Sequence, residues 1–431
     1  MQLKQFKQIN GALAAASCAL VTGQVQAESS LLDDWQVDTA VMYYGETDRV
    51  KALEAVVNVN KDFGENHIFN GKLVYDALTG ASANGAVAQP DAQTFTRPSG
   101  KAEYTIKGGD TPLDDTFRDT RVQINGQWTQ PLGQNNTVTG GLHVSSEYDY
   151  LSMAINAGFA RDFNKKNTNL ALSLSYAFDS IEPEGGIPVA FSEMVYRSDY
   201  QSETDFWQSF NATRQSSGDD TKDTLDVIFG LTQIINRRWL VQLNLGMSQV
   251  EGYLTDPFKV VSVVDEQGYS VRQLYESRPD SRQKENLYIG SKYHFDHSIL
   301  DLSYRFSSDD WGIDSHTLES RWRYNLSEFD YIAPHVRFYK QSSADFYRPF
   351  LNQQESVPMF ASADYRIGQM SAYTVGLKYG RKLKNGHQAS VRLEYYHQAP
   401  ENSGYSAPGV LTELDLYPSL SAVILQFGYR F

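Results

Sequence analysis

Two groupings in this chain carry side chains able to do chemistry. The first is His143-Val144-Ser145, the one place where a histidine stands two residues before a serine. A histidine that takes the hydroxyl proton turns a serine into a nucleophile for acyl transfer, provided a third polar group orients the imidazole. The sequence assigns no such third group. The second grouping is acidic. Asp219-Asp220-Asp223 and Asp309-Asp310-Asp314 offer the oxygen ligands that calcium takes, but neither has the spacing of a defined calcium loop. The eight histidines are scattered, with no pair at a metal-ligand spacing. No cofactor, metal or catalytic residue is expected, and the chain does not read as an enzyme.

The elements that position these residues begin with an export signal. Lys4 and Lys7 precede a short apolar run, 11–21, and Val25-Gln26-Ala27 places small residues just before Glu28. Residues 1–27 are therefore expected to be removed, leaving 28–431 as one domain. Cys18, the single cysteine, would leave with the signal, so disulfides and thiolate chemistry are excluded from the mature chain. The signal takes two lysines and no acids from a formal charge of −14, which gives −16 and argues against nucleic acid as a partner.

Beyond the signal, apolar residues alternate with polar ones at a period of two. Leu170, Leu172, Leu174, Tyr176 and Phe178 form one such row; Trp239, Val241, Leu243, Leu245 and Met247 form another. Further rows are Leu300 to Phe306, Tyr373 to Tyr379 and Ala389 to Tyr395. Each run has the length of a tilted strand crossing a bilayer, and only a closed barrel satisfies every backbone group in lipid without helices. Tyrosine, phenylalanine and tryptophan make up 55 of 431 residues, enough for the interfacial girdles of such a barrel. The expected fold is all-β: a single antiparallel transmembrane barrel of about sixteen strands, with fourteen or eighteen as alternatives. Short turns near 62–66, 131–136, 164–167, 236–238, 296–298, 327–329 and 384–386 alternate with long loops at 77–118, 180–221, 251–283, 342–370 and 398–418. In outer-membrane barrels the short turns are periplasmic and the long loops extracellular. Thr204–Arg214 looks like a strand but breaks the count, so it is assigned to a loop hairpin. The chain stops within a strand on Phe431, which looks like the signal that the barrel-assembly machinery recognises. The expected location is the outer membrane of a Gram-negative cell, in contact with its lipid.

This topology places the chemistry. Asp76, Asp114, Asp115, Arg118, Asp119, Asp149, Asp256, Arg278, Asp309 and Asp310 fall at the loop ends, around the extracellular mouth, whereas Arg161–Asn167 falls at a turn. The side chains opposite the apolar rows face the lumen. There the second half of the chain puts Lys292, Arg305, Arg321, Arg323, Arg337, Lys378 and Arg392 against three acids, Asp301, Glu319 and Glu394. A basic arc in a narrow pore concentrates anions. Loop 77–118 carries Asp91, Glu103, Asp110, Asp114 and Asp115, which would set a transverse field if it folded inward; cross-strand pairing of the arc's own charges is the alternative. His143-Val144-Ser145 resembles the motif of outer-membrane phospholipase A. Its histidine and serine, however, point into the lumen, away from a lipid substrate.

Several segments also resemble an uncharacterised family of proteobacterial outer-membrane barrels, a domain of unknown function. The carrying stretches are 73–87 (LVYDALTGASANGAV), 147–152 (EYDYLS), 161–167 (RDFNKKN), 252–265 (GYLTDPFKVVSVVD), 275–282 (YESRPDSR), 309–316 (DDWGIDSH) and 344–347 (ADFY), together with the acidic stretch 112–122. The resemblance spans the mature chain and implies the same barrel, without an activity or a catalytic residue. Two functions follow as expectations, and an outer-membrane lipid hydrolase ranks a distant third. One is a porin-like channel for small hydrophilic solutes, with anions favoured. The other is a plugged barrel scaffolding a periplasmic or surface partner such as an electron-transfer module.

Overall fold

A computed structural model describes residues 35–431; the expected export signal lies outside the described residues. The period-two rows become strands because alternate side chains of a pleated backbone leave on opposite faces. In chain order the strands are β1 (Trp35–Glu46), β2 (Lys51–Asp62), β3 (Ile68–Ala83), β4 (Gln93–Thr96), β5 (Glu103–Ile106), β6 (Leu113–Pro131) and β7 (Asn136–Ser146). There follow β8 (Tyr150–Phe163), β9 (Thr168–Ile181), β10 (Asp220–Asn236), β11 (Trp239–Gly252), β12 (Val260–Val264), β13 (Ser270–Tyr275) and β14 (Ser281–His294). The last are β15 (Ser298–Asp309), β16 (Asp314–Asn325), β17 (Asp330–Gln341), β18 (Leu351–Asn352), β19 (Met370–Lys382), β20 (Gln388–Pro400) and β21 (Leu420–Arg430).

Sixteen of them close into one antiparallel barrel in sequence order, with β1 pairing β21; β4, β5, β12, β13 and β18 stand outside it. Sixteen is the expected count, and both ends of the barrel chain lie at the turn end. The turn at Asn164, Lys165 and Lys166 is built of three left-handed residues, φ 50°, 56° and 68°, which let four residues reverse the chain.

The outer face is apolar. Val41, Leu53, Leu142, Ile155, Leu174, Leu318 and Leu393 all project from it, Leu142 at 64% exposure. Aromatics border this band. Trp35, Phe63, Trp128, Phe163, Trp239, Trp322 and Phe329 ring the turn end, with the Phe63 and Trp128 rings 5.5 Å apart. Tyr43, Tyr75, Tyr176, Tyr373 and Tyr395 ring the other. Trp35 and Tyr43 are eight residues apart on β1, about 26 Å along the strand and roughly 20 Å along the normal of a tilted barrel. That spacing fits the hydrocarbon.

Most of the buried apolar core lies in the loops rather than in the barrel wall. β12 pairs antiparallel with β13 and parallel with β18, and every residue of β12 is buried. Three small apolar clusters surround it: Ala86, Phe95, Met194, Val260 and Tyr275; Val261, Val263, Leu274, Leu351 and Ala361; and Val87, Val264, Phe350 and Leu411. Five loops thus pack into one cap over the loop end. Gly85 shows how close the approach is: its φ is +95°, and a Cβ there would sit 2.4 Å from the Val260 carbonyl oxygen.

Thr204–Arg214, expected as part of a β-hairpin, is instead largely the helix α1 (Glu203–Ala212). The Ser202 side chain accepts the Asp205 N–H at 3.1 Å, and acids occupy the first turn. Phe206 and Phe210, four apart, put both rings on one buried face. A period of nearly four in the aromatics, masked by the interleaved Trp207, is what a strand reading misses.

Candidate lumen site

β14 to β17, β19 and β20 carry the basic arc, and the strand registers divide it into two levels. Lys292, Arg321, Arg323, Lys378 and Arg392 lie toward the turn end. There Lys292 and Arg321 are half-exposed, 53% and 54%, inside a wet lumen. Arg305 and Arg337 lie higher. Three of the seven cations are paired: Lys292 Nζ with Asp301 at 3.2 Å, Arg321 with Glu319 at 2.6 Å and Arg392 with Glu394 at 3.7 Å. Arg305, Arg323, Arg337 and Lys378 have no carboxylate within 4.0 Å among the described residues. Arg323 lies over the Tyr331 ring at 3.9 Å, and Arg305 over Tyr288 at 5.7 Å. His335 stands between two of the acids, Nδ1 2.8 Å from Glu394 and Nε2 3.2 Å from Glu319. Cross-strand pairing and uncompensated charge are therefore both present in the arc.

Above this level, beneath the cap, is a cavity of about 300 Å³ walled by β10, β11 and β14 to β17. Arg305 and Arg337 face it together with Lys284, while Lys222, Arg282 and Arg366 line it already paired with acids. The Nε atoms of Arg305 and Arg337 are buried and have no hydrogen-bond partner among the described residues. The cavity's own carboxylates are Asp226 and Asp309, and Asp309 is taken by Arg282. Sequence reading that starts the arc at Lys292 stops four lumen positions short of Lys284, which shares its parity on β14. Arg366 comes from a loop and has no periodicity to betray it.

The expected mouth residues separate. Asp256 and Arg278 do not line a solvated vestibule; they are 7% and 4% exposed, inside the cap. Arg278 donates to Glu276 at 2.6 Å and to Asp364 at 2.8 Å, and Arg366 donates to Asp256 at 2.7 Å and to Asp364. Lys259 Nζ donates to the Ala83 carbonyl. This network ties loop 253–280 to loop 342–369 and to the end of β3. Burial disfavours the charge on Asp364, but the Arg366 and Arg278 guanidinium groups outweigh it and hold its carboxyl far below the usual range. Burial acts likewise on Asp256, outweighed by Lys259, Arg366 and Arg278, so its pKa is lowered too. For Glu276 burial prevails over Arg278, and its pKa is raised.

The other mouth residues stay near the rim. Asp76 accepts from Arg121 at 2.8 Å. Asp114 and Asp115, at the loop end of β6, are both bound by Arg97, at 3.1 and 2.9 Å. Arg118 is exposed. Asp309 caps its own tight turn by accepting the Trp311 and Ile313 N–H groups at 3.1 and 3.0 Å, and Asp310 accepts from Gln283 N–H at 3.0 Å. Asp119 and Asp149 meet Glu147 with carboxylate oxygens within 4.8 Å of one another, a juxtaposition no spacing rule signals. His143 does face the lumen, and its Nδ1 lies 2.6 Å from Asn125 Oδ1, supplying the orienting partner that the sequence left unassigned.

A closed antiparallel barrel with an apolar outer band, two aromatic girdles and a polar interior is a transmembrane barrel of the outer-membrane type. The chain belongs to the DUF3570 family of proteins of unknown function, which it matches over residues 10–431. No curated protein matches the sequence. Solved structures with a similar fold include a bacterial polysaccharide outer membrane secretin, 8% identical, TM-score 0.44, covering 93% of this chain and 100% of that one. Another is OmpTΔL8, an outer membrane protein of Vibrio cholerae, 6% identical, TM-score 0.39, covering 92% and 98%. A third is the ferric enterobactin receptor PfeA of Pseudomonas aeruginosa in complex with enterobactin, 10% identical, TM-score 0.41. The match covers 94% of this chain but only 61% of the receptor. Likeness at this level concerns the fold alone.

Proposed function

We propose that the protein is a porin-like channel of the outer membrane for small anionic solutes, whose outer mouth the loop cap closes in this state. The observation that carries this reading is the uncompensated charge of the lumen wall. Among the described residues Arg305, Arg323, Arg337 and Lys378 have no carboxylate partner, although acids outnumber bases in the chain as a whole, 52 to 38. In a narrow lumen such charges raise the local concentration of anions and set their selectivity. Insertion through the barrel-assembly machinery by way of the strand ending at Phe431, and removal of residues 1–27 on export, belong to the same proposal. The test is reconstitution in planar bilayers under a salt gradient. The reversal potential should report anion preference, and Arg321→Gln with Arg323→Gln should shift it toward cations. Absence of any conductance, or cation preference untouched by the double variant, rejects the channel.

A second reading draws on the cap itself. Its dry core and buried ion network give the loop end the character of a plug, which a scaffold barrel would need to present a fixed surface to a partner. Stoichiometric co-purification of one protein under mild solubilisation would favour it. Its absence, with conductance present, would favour the channel.

A further inference from the structure

The cavity under the cap combines charge, donors and apolar surface in a way that specifies a ligand class. Arginine keeps its charge at any physiological pH, so Arg305 and Arg337 cannot relieve their mutual repulsion by losing a proton. With the Lys284 amine they form a basic wall in which none of the three makes an ion pair among the described residues. Buried, unpartnered guanidinium N–H groups cost free energy that an incoming oxyanion would recover through charge-assisted, two-pronged hydrogen bonds. Hydroxyl and amide donors stand beside them: Ser307, Ser315, Thr317 and Asn286 share the same wall. Above, the underside of the cap is apolar, with Trp311, Ile313, Ile367 and Met370 at 1–7% exposure. A free inorganic anion would leave that roof unused. A volume of 300 Å³ holds about ten waters at liquid density, the lower end of small-molecule sites.

We infer that this cavity binds one small organic oxyanion, a phosphate monoester or carboxylate with an apolar body. The oxyanion lies against Arg305, Arg337 and Lys284 and the body lies under Trp311 and Met370. The ligand reaches the site from the turn end, where Lys292 and Arg321 mark a wet lumen, because the packed cap covers the other side. This rests on the reading of the lumen as an anion path and adds a bound substrate class to it.

The test uses the mature chain folded in detergent. Binding is followed by calorimetry and by tryptophan emission, to which Trp311 contributes from the cavity wall, where it stacks against Arg282 at 4.3 Å. Phenyl phosphate and benzoate are titrated beside inorganic phosphate and benzyl alcohol. The aromatic anions should bind, inorganic phosphate should bind about tenfold or more weakly, and the alcohol should not bind. Arg305→Gln with Arg337→Gln should weaken phenyl phosphate by roughly 10- to 100-fold, the value of charge-assisted hydrogen bonds. Arg238→Gln, at a turn, should change nothing. If the double variant does not give the heat-modifiable gel shift of a folded barrel, Arg337→Met alone replaces it. Equal affinity for inorganic phosphate, no binding of the aromatic anions, or binding indifferent to the arginines each overturns the inference. The channel reading fails separately, by absent conductance with binding intact.

Discussion

Arg278 illustrates how much a single side chain holds at the cap. At 4% exposure it bridges Glu276 and Asp364, which come from different loops. Removing one partner from a buried ion network leaves the other charges uncompensated, at a cost of about 3–5 kcal/mol. Arg278→Met is therefore expected to loosen the cap by that amount while the barrel, which meets this network only at Ala83 on the end of β3, stays folded. Hydrogen exchange checks it: amides of 260–275 should speed up, and those of β8 and β9 should not. At the same scale, Arg305 and Arg337 were legible in the sequence because lumen residues keep a strict parity along their strands. Lys284 obeys the same parity and was legible in principle. Arg366 was not, since a loop residue has no phase to read.

Between elements, the cap joins loop 253–280 to loop 342–369 through carboxylates whose protonation depends on folding. Asp364 and Asp256 have folded pKa values below their unfolded ones, so their contribution is complete above about pH 4 and is lost as pH falls toward the depressed values. Glu276, with a raised pKa, works in the opposite sense and gains on protonation. Lys259 is charged throughout the acid range in the unfolded chain and sits at a buried position that lowers its pKa, so it adds no gain in acid. The two aspartates together are expected to prevail, and loop 253–280 should come free near pH 3. Limited proteolysis with an acid-active protease should then nick 253–280 at pH 3 but not at pH 5; protection at both values would count against this account. The helix α1 belongs to this scale as well. Its Ser202 cap and its Phe206 and Phe210 pair were in the sequence, but an aromatic-rich segment between strands fits either period over so few residues.

For the molecule as a whole, barrel and cap are separable. The sixteen strands close through their own ladders, including β1 to β21, and no barrel hydrogen bond depends on β12, β13 or β18. Replacing 254–279 by a short Gly/Ser linker should thus leave a heat-modifiable, folded barrel. It should raise single-channel conductance severalfold while keeping anion preference, since Arg321, Arg323 and Lys378 lie well below the cap. Unchanged conductance would show that the closure lies elsewhere in the lumen and would favour the scaffold.

The sequence by itself determined the barrel, a count of about sixteen strands, the loop and turn ends and the inward side of the basic arc. A pleated strand in lipid has a period of two and a length set by the bilayer, and both are local properties that any short window reveals. Only the tertiary structure decided that five loops condense into a dry cap, that Asp256 and Arg278 are buried within it, and that Arg305 and Arg337 face a cavity beneath it. Those outcomes depend on contacts such as Gly85 with Val260 and Arg278 with Asp364, between residues 86 to 175 positions apart. Packing at such separations has no repeat, so no pattern along the chain announces it.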